Sequence, residues 1–292
     1  MEARTNPLPP IFAMVALFSQ IIPDRVQRTA RRVPALGRTI SSLLDRAAPE
    51  GMVDVRVSRG ALRGAWLRLD LRREREYWLG AYERRLVAAM SDFCRSGMVV
   101  YDLGANIGYT ALICARIVGP TGQVYAFEPL DENLQRMRDH LARNDTHHNV
   151  VVIAAAVSDC EGNETFLIHE SGAMGKLAGS GERATHYIGQ RQVASIRLDD
   201  FVFREGHLAP DLIKLDIEGG GVKAFPGMAR VLAEARPLLL MELHGSEEKQ
   251  AALDALRLLN YRLHSMAPGY AVLKDEHALQ QQWRQHIVAV PG

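Results

Sequence analysis

The sequence predicts an α/β fold in which helices wind both faces of a mostly parallel sheet. The first observation is an apolar run at 98–103 followed at once by a glycine turn and a helix, in which Leu112 and Ile117 recur at helical spacing. Gly119 and Pro120 then end that helix. The second observation is that further short apolar runs end in polar residues. Because the carboxyl ends of parallel strands meet at one edge, we expect a ligand site there.

The glycine turn after the first strand predicts the kind of ligand. Gly104 and Gly108 enclose Asn106, a spacing that lacks the G-x-G-x-x-G of dinucleotide sites. Asp102 stands just before the turn, where a carboxylate would repel a pyrophosphate but would suit the ammonium of S-adenosylmethionine, directly or through water. We therefore expect these four residues to bind that cofactor. The alternative is a tight turn in which Asp102 only accepts hydrogen bonds from backbone N–H groups.

Two further strand ends complete the expected cofactor site. The strand at 123–127 ends at Glu128, and an acid at this place in a nucleotide-binding α/β fold accepts hydrogen bonds from the ribose hydroxyls. The strand at 150–157 leads into Ser158 and Asp159. We expect these two residues beside the adenine, although both could equally be turn residues.

The fourth and fifth strands carry the candidate catalytic residues. Asp216 and Glu218 close one strand, and they share one side of it if the strand persists to Glu218; Glu242 and His244 close the other. A hydroxyl nucleophile needs a carboxylate or histidine to take its proton, or a metal ion to lower its pKa. We expect at least one of the four to do so, while others cap helices or neutralise Lys214. This oxygen-rich set would suit Mg²⁺ or Mn²⁺ better than Zn²⁺, but we assign no metal site.

The chain divides into an extension at 1–92, a main domain at 93–275 and a C-terminal tail at 276–292. Within the domain, repeated glycines between 170 and 192 predict a long loop, which we expect to be a mobile lid near the substrate. A closing antiparallel hairpin is expected at 261–273.

The extension combines apolar and basic segments. Residues 11–22 are apolar but too few to span a bilayer, and arginines follow as far as Arg38. A helix packed on its own core or on a partner is one interpretation, and peripheral membrane contact through residues 11–38 is the other. Alternation at 53–71 predicts a β-hairpin or meander, and the aromatic pattern at 74–93 predicts one helix that could form a lid.

Five short motifs follow one another in a fixed order. They are Tyr-Asp-Leu-Gly-Ala-Asn-Ile-Gly (101–108), Phe-Glu-Pro (127–129), Leu-Asp-Asp (198–200), Lys-Leu-Asp-Ile-Glu-Gly (214–219) and Glu-Leu-His (242–244). Together they resemble the FkbM family of S-adenosylmethionine-dependent methyltransferases, over roughly residues 53–275. The resemblance implies a seven-stranded Rossmann-like methyltransferase sheet and O-methylation of a sugar, glycan or polyketide hydroxyl. One position departs from the pattern, because Gly221 stands where the family usually has a second glutamate.

Composition limits the classes of function. A formal net charge of +1 gives no indication of nucleic-acid binding, and three cysteines without a C-x-x-C pair favour a reducing compartment, the cytoplasm. We expect a small-molecule or glycan acceptor and leave the oligomeric state open. A nicotinamide oxidoreductase and a non-catalytic cofactor-binding or scaffold protein are the alternatives. Asp102 and the missing dinucleotide fingerprint argue against the first of them.

Overall fold

The chain forms two compact units, Met1–Arg84 and Arg85–Gly292. A computed structural model describes residues 9, 10, 12, 14, 43, 44, 46–146, 148–169, 174–181, 187–273 and 284–292. The segment predicted at 11–38 lies almost entirely outside these residues, so its helix and its membrane contact stay predictions. Among the described residues, no helix is both long enough and apolar enough to cross a bilayer.

The first unit contains the predicted hairpin. Strands β1 (Val53–Arg56) and β2 (Trp66–Leu69) pair antiparallel, which confirms the prediction for 53–71. The single helix predicted at 74–93 is wrong, because the segment forms two helices, α1 (Arg75–Trp78) in the first unit and α2 (Arg84–Phe93), which apart from Arg84 belongs to the second unit. Gly80 and Glu83 between them have φ angles of 59° and 38°, which a right-handed helix cannot contain. The lid role of this segment stays a prediction.

The second unit alternates strands and helices along most of its length. In chain order its elements are β3 (Val99–Leu103), α3 (Tyr109–Val118), β4 (Gln123–Phe127), α4 (Asp131–Arg143), β5 (Val150–Ile153), β6 (Ala156–Val157), β7 (Gly162–His169), β8 (Gly175–Leu177), β9 (Tyr187–Ile196), α5 (Leu198–Phe203), β10 (Leu212–Leu215), α6 (Gly221–Gly227), α7 (Ala229–Glu234), β11 (Leu238–His244), α8 (Gly245–Arg257), β12 (Tyr261–Ser265) and β13 (Arg284–Pro291).

The main sheet has seven strands in the order β12-β13-β11-β10-β3-β4-β5. Strands β11, β10, β3, β4 and β5 pair in parallel, whereas β13 is antiparallel to both β11 and β12. This confirms the predicted doubly wound sheet. The chain proceeds outward from β3 on one side and from β10 on the other. The switch point between these two strands is therefore where such a sheet opens a crevice beyond its carboxyl ends.

The last strand of the sheet comes from the stretch predicted as a tail. β13 lies between β11 and β12, and Ile287, Val288 and Ala289 in its centre are buried. The sheet therefore continues past residue 275, where the sequence analysis ended the main domain. The hairpin expected at 261–273 is present only as a short contact, in which His264 and Val272 form an isolated bridge and β12 pairs mainly with β13.

A second, four-stranded sheet has the order β6-β9-β7-β8. It corrects two predictions. The strand predicted at 150–157 is split, because β5 ends at Ile153 and β6 pairs with β9 instead of continuing in the main sheet. The loop predicted between 170 and 192 contains β8 and the start of β9. Most of that part of β9 is exposed, so its order comes from pairing with β7, which an apolar pattern does not reveal.

Packed rings hold the central strands in place. Tyr101 on β3 and Tyr125 on β4 contact each other edge to face, with ring centroids 5.1 Å apart, and both meet Phe201 of α5. Ile213 of β10 and Leu239 of β11 are fully buried in the same cluster. The strand ends that carry the polar residues therefore stand on a rigid core.

Candidate active site

The glycine turn after β3 ties three strand ends together. Gly104, Asn106 and Gly108 all have left-handed backbones, with φ angles of 75°, 51° and 83°. A Cβ atom on Gly104 would lie 2.1 Å from the carbonyl oxygen of Asp216, so only glycine allows this close approach to the loop after β10. The N–H of Gly104 also donates to the carbonyl oxygen of Phe127 at the end of β4, at 3.0 Å.

Asp102 is directed into the protein beneath this turn. Its carboxylate has no exposed surface; one oxygen lies 3.1 Å from Nζ of Lys214 and the other accepts a 2.6 Å hydrogen bond from Thr110. Lys214 also donates to two backbone carbonyls of the turn, at 3.1 and 2.8 Å. Burial acts to lower the pKa of Lys214, but the negative charges of Asp102, Asp216 and Glu242 together outweigh it and the pKa is raised.

This arrangement bears on both roles expected of Asp102, whose contact with the cofactor through water stays a prediction. A carboxylate without exposed surface cannot touch the ammonium of a cofactor directly. The geometry favours the structural role, in which Asp102 neutralises Lys214 and the lysine holds the turn. The sequence predicts that Asp102 accepts hydrogen bonds at this turn, but it does not indicate that Lys214 and Thr110 are its partners.

Glu128 lies at the carboxyl edge of the sheet and contacts the turn. Its Oε2 atom accepts a hydrogen bond from the N–H of Asn106 at 3.0 Å. Its Oε1 atom accepts from the N–H of Leu130 and from the side chain of Asn133, at 2.9 and 3.2 Å. The side chain is buried, and burial raises its pKa to about 6. The structure thus brings Glu128 and Asn106 together as expected; their contact with a cofactor stays a prediction.

Ser158 and Asp159 have their contacts elsewhere. The N–H of Ser158 donates to the carbonyl oxygen of Ile196 in β9, and its hydroxyl donates to Asp159, at 2.9 and 3.1 Å. The carbonyl of Ser158 packs against Gly227 at the end of α6. Ser158 and Asp159 do not lie at the end of the third strand as expected, because that strand ends at Ile153. Their contact with adenine also stays a prediction.

The four candidate catalytic residues converge into what we call the acid–histidine cluster: Asp216, Glu218, Glu242 and His244. The Nε2 atom of His244 lies 3.5 Å from Oδ1 of Asp216, 3.7 Å from Oε2 of Glu218 and 3.3 Å from Oε1 of Glu242. His244 and Glu242 are buried, whereas 17% of the side-chain surface of each of the other two acids is exposed. An incoming molecule would therefore meet Asp216 and Glu218 first.

The loop after β10, and not the strand itself, delivers two of these acids. β10 ends at Leu215, and Glu218 has a left-handed backbone with φ 56°, so the expectation that the strand persists to Glu218 is wrong. Burial acts to raise the pKa of Asp216, but His244 and the positive charges of Lys214 and Arg284 outweigh it and lower the pKa. Asp216 is therefore ionised at neutral pH and can accept a proton or a cation.

Strand β13 supplies two partners for Glu242. The Nε atom of Arg284 lies 3.0 Å from one of its oxygens, and Nε2 of His286 lies 2.9 Å from the other. Neither residue was predicted, because the sequence pattern at 276–292 indicates no helix or strand. These two partners hold the carboxylate of Glu242 on the β13 side of the cluster.

Glu248 of α8 is a third residue of the site that was not predicted from the sequence. It has no exposed surface, and it accepts hydrogen bonds from the N–H of Gly221 at 2.7 Å and from the N–H of His244 at 2.6 Å. Burial raises its pKa to about 7. Glu248 thereby connects the start of α6, directly after the loop of Asp216, to the end of β11. The sequence carries one indication of Glu248, which is an acid in the first turn of the helix that follows His244.

Glu248 also accounts for the glycine at position 221. A Cβ atom on Gly221 would lie 2.6 Å from Oε1 of Glu248, so this carboxylate occupies the space in which a side chain at 221 would begin. We expect Gly221→Ala to lower the free energy of unfolding by about 1–3 kcal/mol, because it overpacks the site. Urea denaturation measures this. In a Glu248→Ala background the same substitution should cost much less; equal costs in both backgrounds would contradict the account.

Residues 102–263 match the family model of the methyltransferase FkbM domain, which is more than half of the chain. The chain belongs to the FkbM methyltransferase family. This confirms the resemblance seen in the motifs, and membership of a methyltransferase family supports S-adenosylmethionine over the nicotinamide cofactor held as an alternative.

Individual relatives of this FkbM-family chain are distant. The chain is 23% identical over 178 residues to the hexuronic acid methyltransferase AglP of Haloferax volcanii, covering 61% of this chain and 68% of the relative. A protein-L-isoaspartate O-methyltransferase of Methanothrix thermoacetophila is 40% identical over 60 residues, which is 20% of this chain and 29% of that one. The structure of methyltransferase FkbM from Methylobacillus flagellatus aligns with a TM-score of 0.43 and 16% identity, over 70% of this chain and 52% of that chain. The chain thus spans about half the length of that structure.

Proposed function

We propose that this protein transfers the methyl group of S-adenosylmethionine to a hydroxyl group of a sugar or glycan. The observation that carries the proposal is the acid–histidine cluster at the carboxyl ends of β10 and β11, next to the glycine turn of β3. A relative whose name gives a hexuronic acid as its substrate supports the choice of a sugar. A polyketide-type hydroxyl is the alternative acceptor.

The residues of the glycine turn fit the cofactor. A carboxylate has about four acceptor positions, and the donors around Glu128 use three of them. One acceptor position of the carboxylate is left for a ribose hydroxyl. A second becomes available if a ribose hydroxyl replaces the N–H of Asn106 as the donor.

The chain then has two tasks, alignment and proton transfer. The sulfonium of the cofactor supplies an activated methyl group, so the protein mainly holds the acceptor oxygen in line with it; such positioning can supply effective molarities of about 10⁵–10⁸ M. Asp216 is ionised and partly exposed, which suits it to receive the hydroxyl proton. His244 stands 3.5 Å behind that oxygen and stabilises the carboxylate.

The expected role of Glu128 can be tested by binding alone. Hydrogen bonds to a charged acceptor are worth about 1.5–3 kcal/mol each, so Glu128→Ala should weaken S-adenosylmethionine binding by about tenfold or more. Isothermal titration calorimetry measures the change, with the exposed Glu132→Ala as the matched control. Since the pKa of Glu128 is raised to about 6, wild-type affinity should fall as the pH drops through that value. Unchanged affinity in Glu128→Ala would remove the ribose assignment.

The proposed activity can be tested with a panel of acceptors. The protein is incubated with S-adenosylmethionine and, in separate reactions, glycans that contain a hexuronic acid, neutral sugars and polyketide alcohols. We expect S-adenosylhomocysteine to accumulate only with a sugar acceptor. A protein that binds the cofactor in calorimetry but produces no S-adenosylhomocysteine with any acceptor would instead be the non-catalytic cofactor-binding protein held as an alternative.

A further inference from the structure

The acid–histidine cluster has the donor set of a divalent-cation site. Asp216, Glu218 and His244 each offer one ligand atom, and these atoms lie within 4.8 Å of one another. Oxygen donors from two carboxylates match the preference of Mg²⁺ and Mn²⁺, and an imidazole nitrogen moves the preference towards Mn²⁺. Two carboxylates also balance the charge of one divalent ion.

His244 gives a second and independent indication. Its side chain is 3% exposed, and Nε2 is buried without a hydrogen bond to any group that the structure describes. Carboxylate oxygens of Asp216, Glu218 and Glu242 surround this nitrogen at 3.3–3.7 Å. A divalent cation among these atoms would satisfy the Nε2 lone pair and the surrounding carboxylates together, whereas an N–H at Nε2 would serve only one of the three acids. The backbone of His244 is meanwhile fixed by Glu248, which keeps the ring aimed into the cluster.

Ion pairing and exposure distinguish the acids of the cluster. Glu242 is already paired with Arg284 and His286 at 3.0 and 2.9 Å. Asp216 and Glu218, in contrast, are the partly exposed members of the cluster. A metal held by these two acids and by His244 would keep positions open towards solvent, because Mg²⁺ and Mn²⁺ take about six ligands.

We propose that Asp216, Glu218 and His244 bind one divalent cation of the Mn²⁺ or Mg²⁺ type. A cation held there would coordinate the acceptor hydroxyl at an open position and lower its pKa, so that the hydroxyl proton would leave to solvent while Asp216 stays a ligand. This catalytic part rests on the proposed function, whereas the binding of the cation does not.

The test measures metal binding without cofactor or acceptor. The full chain is freed of metal with EDTA, dialysed, and titrated with Mn²⁺ while electron paramagnetic resonance reports the free ion. We expect saturable binding of one Mn²⁺ per chain, weakened at least tenfold in Asp216→Asn and in His244→Ala. Glu164→Gln is the matched control, because Asp159, Cys160 and Glu164 form another group of metal-ligating types away from the cluster. Circular dichroism confirms that each variant is folded.

The nitrogen ligand provides a separate signature. Bound Mn²⁺ should show a nitrogen coupling in pulsed electron paramagnetic resonance, and that coupling should disappear in His244→Ala. The proposal is overturned if wild type binds no Mn²⁺ saturably, if Asp216→Asn and His244→Ala bind as wild type does, or if Glu164→Gln loses binding equally. Site-specific Mn²⁺ binding without methyl transfer would contradict the proposed function and leave the metal site standing.

Discussion

Asp216→Asn or Glu218→Gln should lower kcat for methyl transfer by about 10²–10⁴-fold, which is the usual loss when a general acid–base group is removed. Both substitutions keep the shape of the side chain and remove its charge. We expect at least one of them to have this effect, because these are the exposed acids of the acid–histidine cluster. Affinity for S-adenosylmethionine should stay within a few-fold of wild type, since the expected cofactor contacts lie at the turn of β3 and at Glu128.

Single-turnover kinetics with cofactor already bound separates the chemical step from binding. Glu164→Gln is the control, because it removes a charge of the same type on β7, outside the cluster, where the partner of Glu164 is Lys223. If Asp216→Asn and Glu218→Gln both transfer methyl groups at the wild-type rate, the two acids are structural. The transfer site would then lie elsewhere on the sheet edge.

Lys214→Met should lower the free energy of unfolding by about 3–5 kcal/mol, the usual cost of removing one partner of a buried ion pair. The substitution leaves the carboxylate of Asp102 buried without its counter-charge. It also removes both hydrogen bonds from Lys214 to the backbone of the glycine turn. Urea denaturation followed by circular dichroism measures the change.

Two further variants make this test specific. Lys223→Met removes an ion pair that is closer to the surface and should cost below about 1 kcal/mol. The double variant Lys214→Met with Asp102→Leu removes both charges and should recover part of the loss. If Lys214→Met costs no more than Lys223→Met, the pair does not hold the turn in the way that the structure indicates.

The strands of the main sheet and the polar residues at their carboxyl ends could be predicted from the sequence, for a physical reason. Parallel strands buried on both faces are nearly continuous apolar runs, so Val99–Leu103 and Leu238–His244 can be recognised without a partner. Polar residues that interrupt such runs only at their carboxyl ends are costly unless they are paired or bind a ligand. Glu128 and the acid–histidine cluster were predicted on this ground, and the structure places them at the carboxyl ends of the strands or directly after them.

Features that depend on distant partners were not predictable. Arg284 and His286 reach Glu242 only because β13 inserts between β11 and β12, and nothing local indicates that insertion. Glu248 looks like an ordinary acid in the first turn of a helix, yet it bonds the N–H of Gly221 in another element. The second sheet was missed for the same reason, since backbone pairing stabilises β9 more than burial does.

The central claim, that this FkbM-family protein methylates a hydroxyl oxygen, is tested most directly by locating the transferred carbon. The protein is incubated with S-adenosylmethionine labelled with ¹³C in its methyl group and with a glycan that contains a hexuronic acid, and the product is examined by two-dimensional NMR. We predict a methyl carbon that couples across an oxygen atom to one proton of the sugar ring. Label attached to nitrogen or carbon, or label that stays on S-adenosylmethionine with every hydroxyl acceptor supplied, would contradict the account.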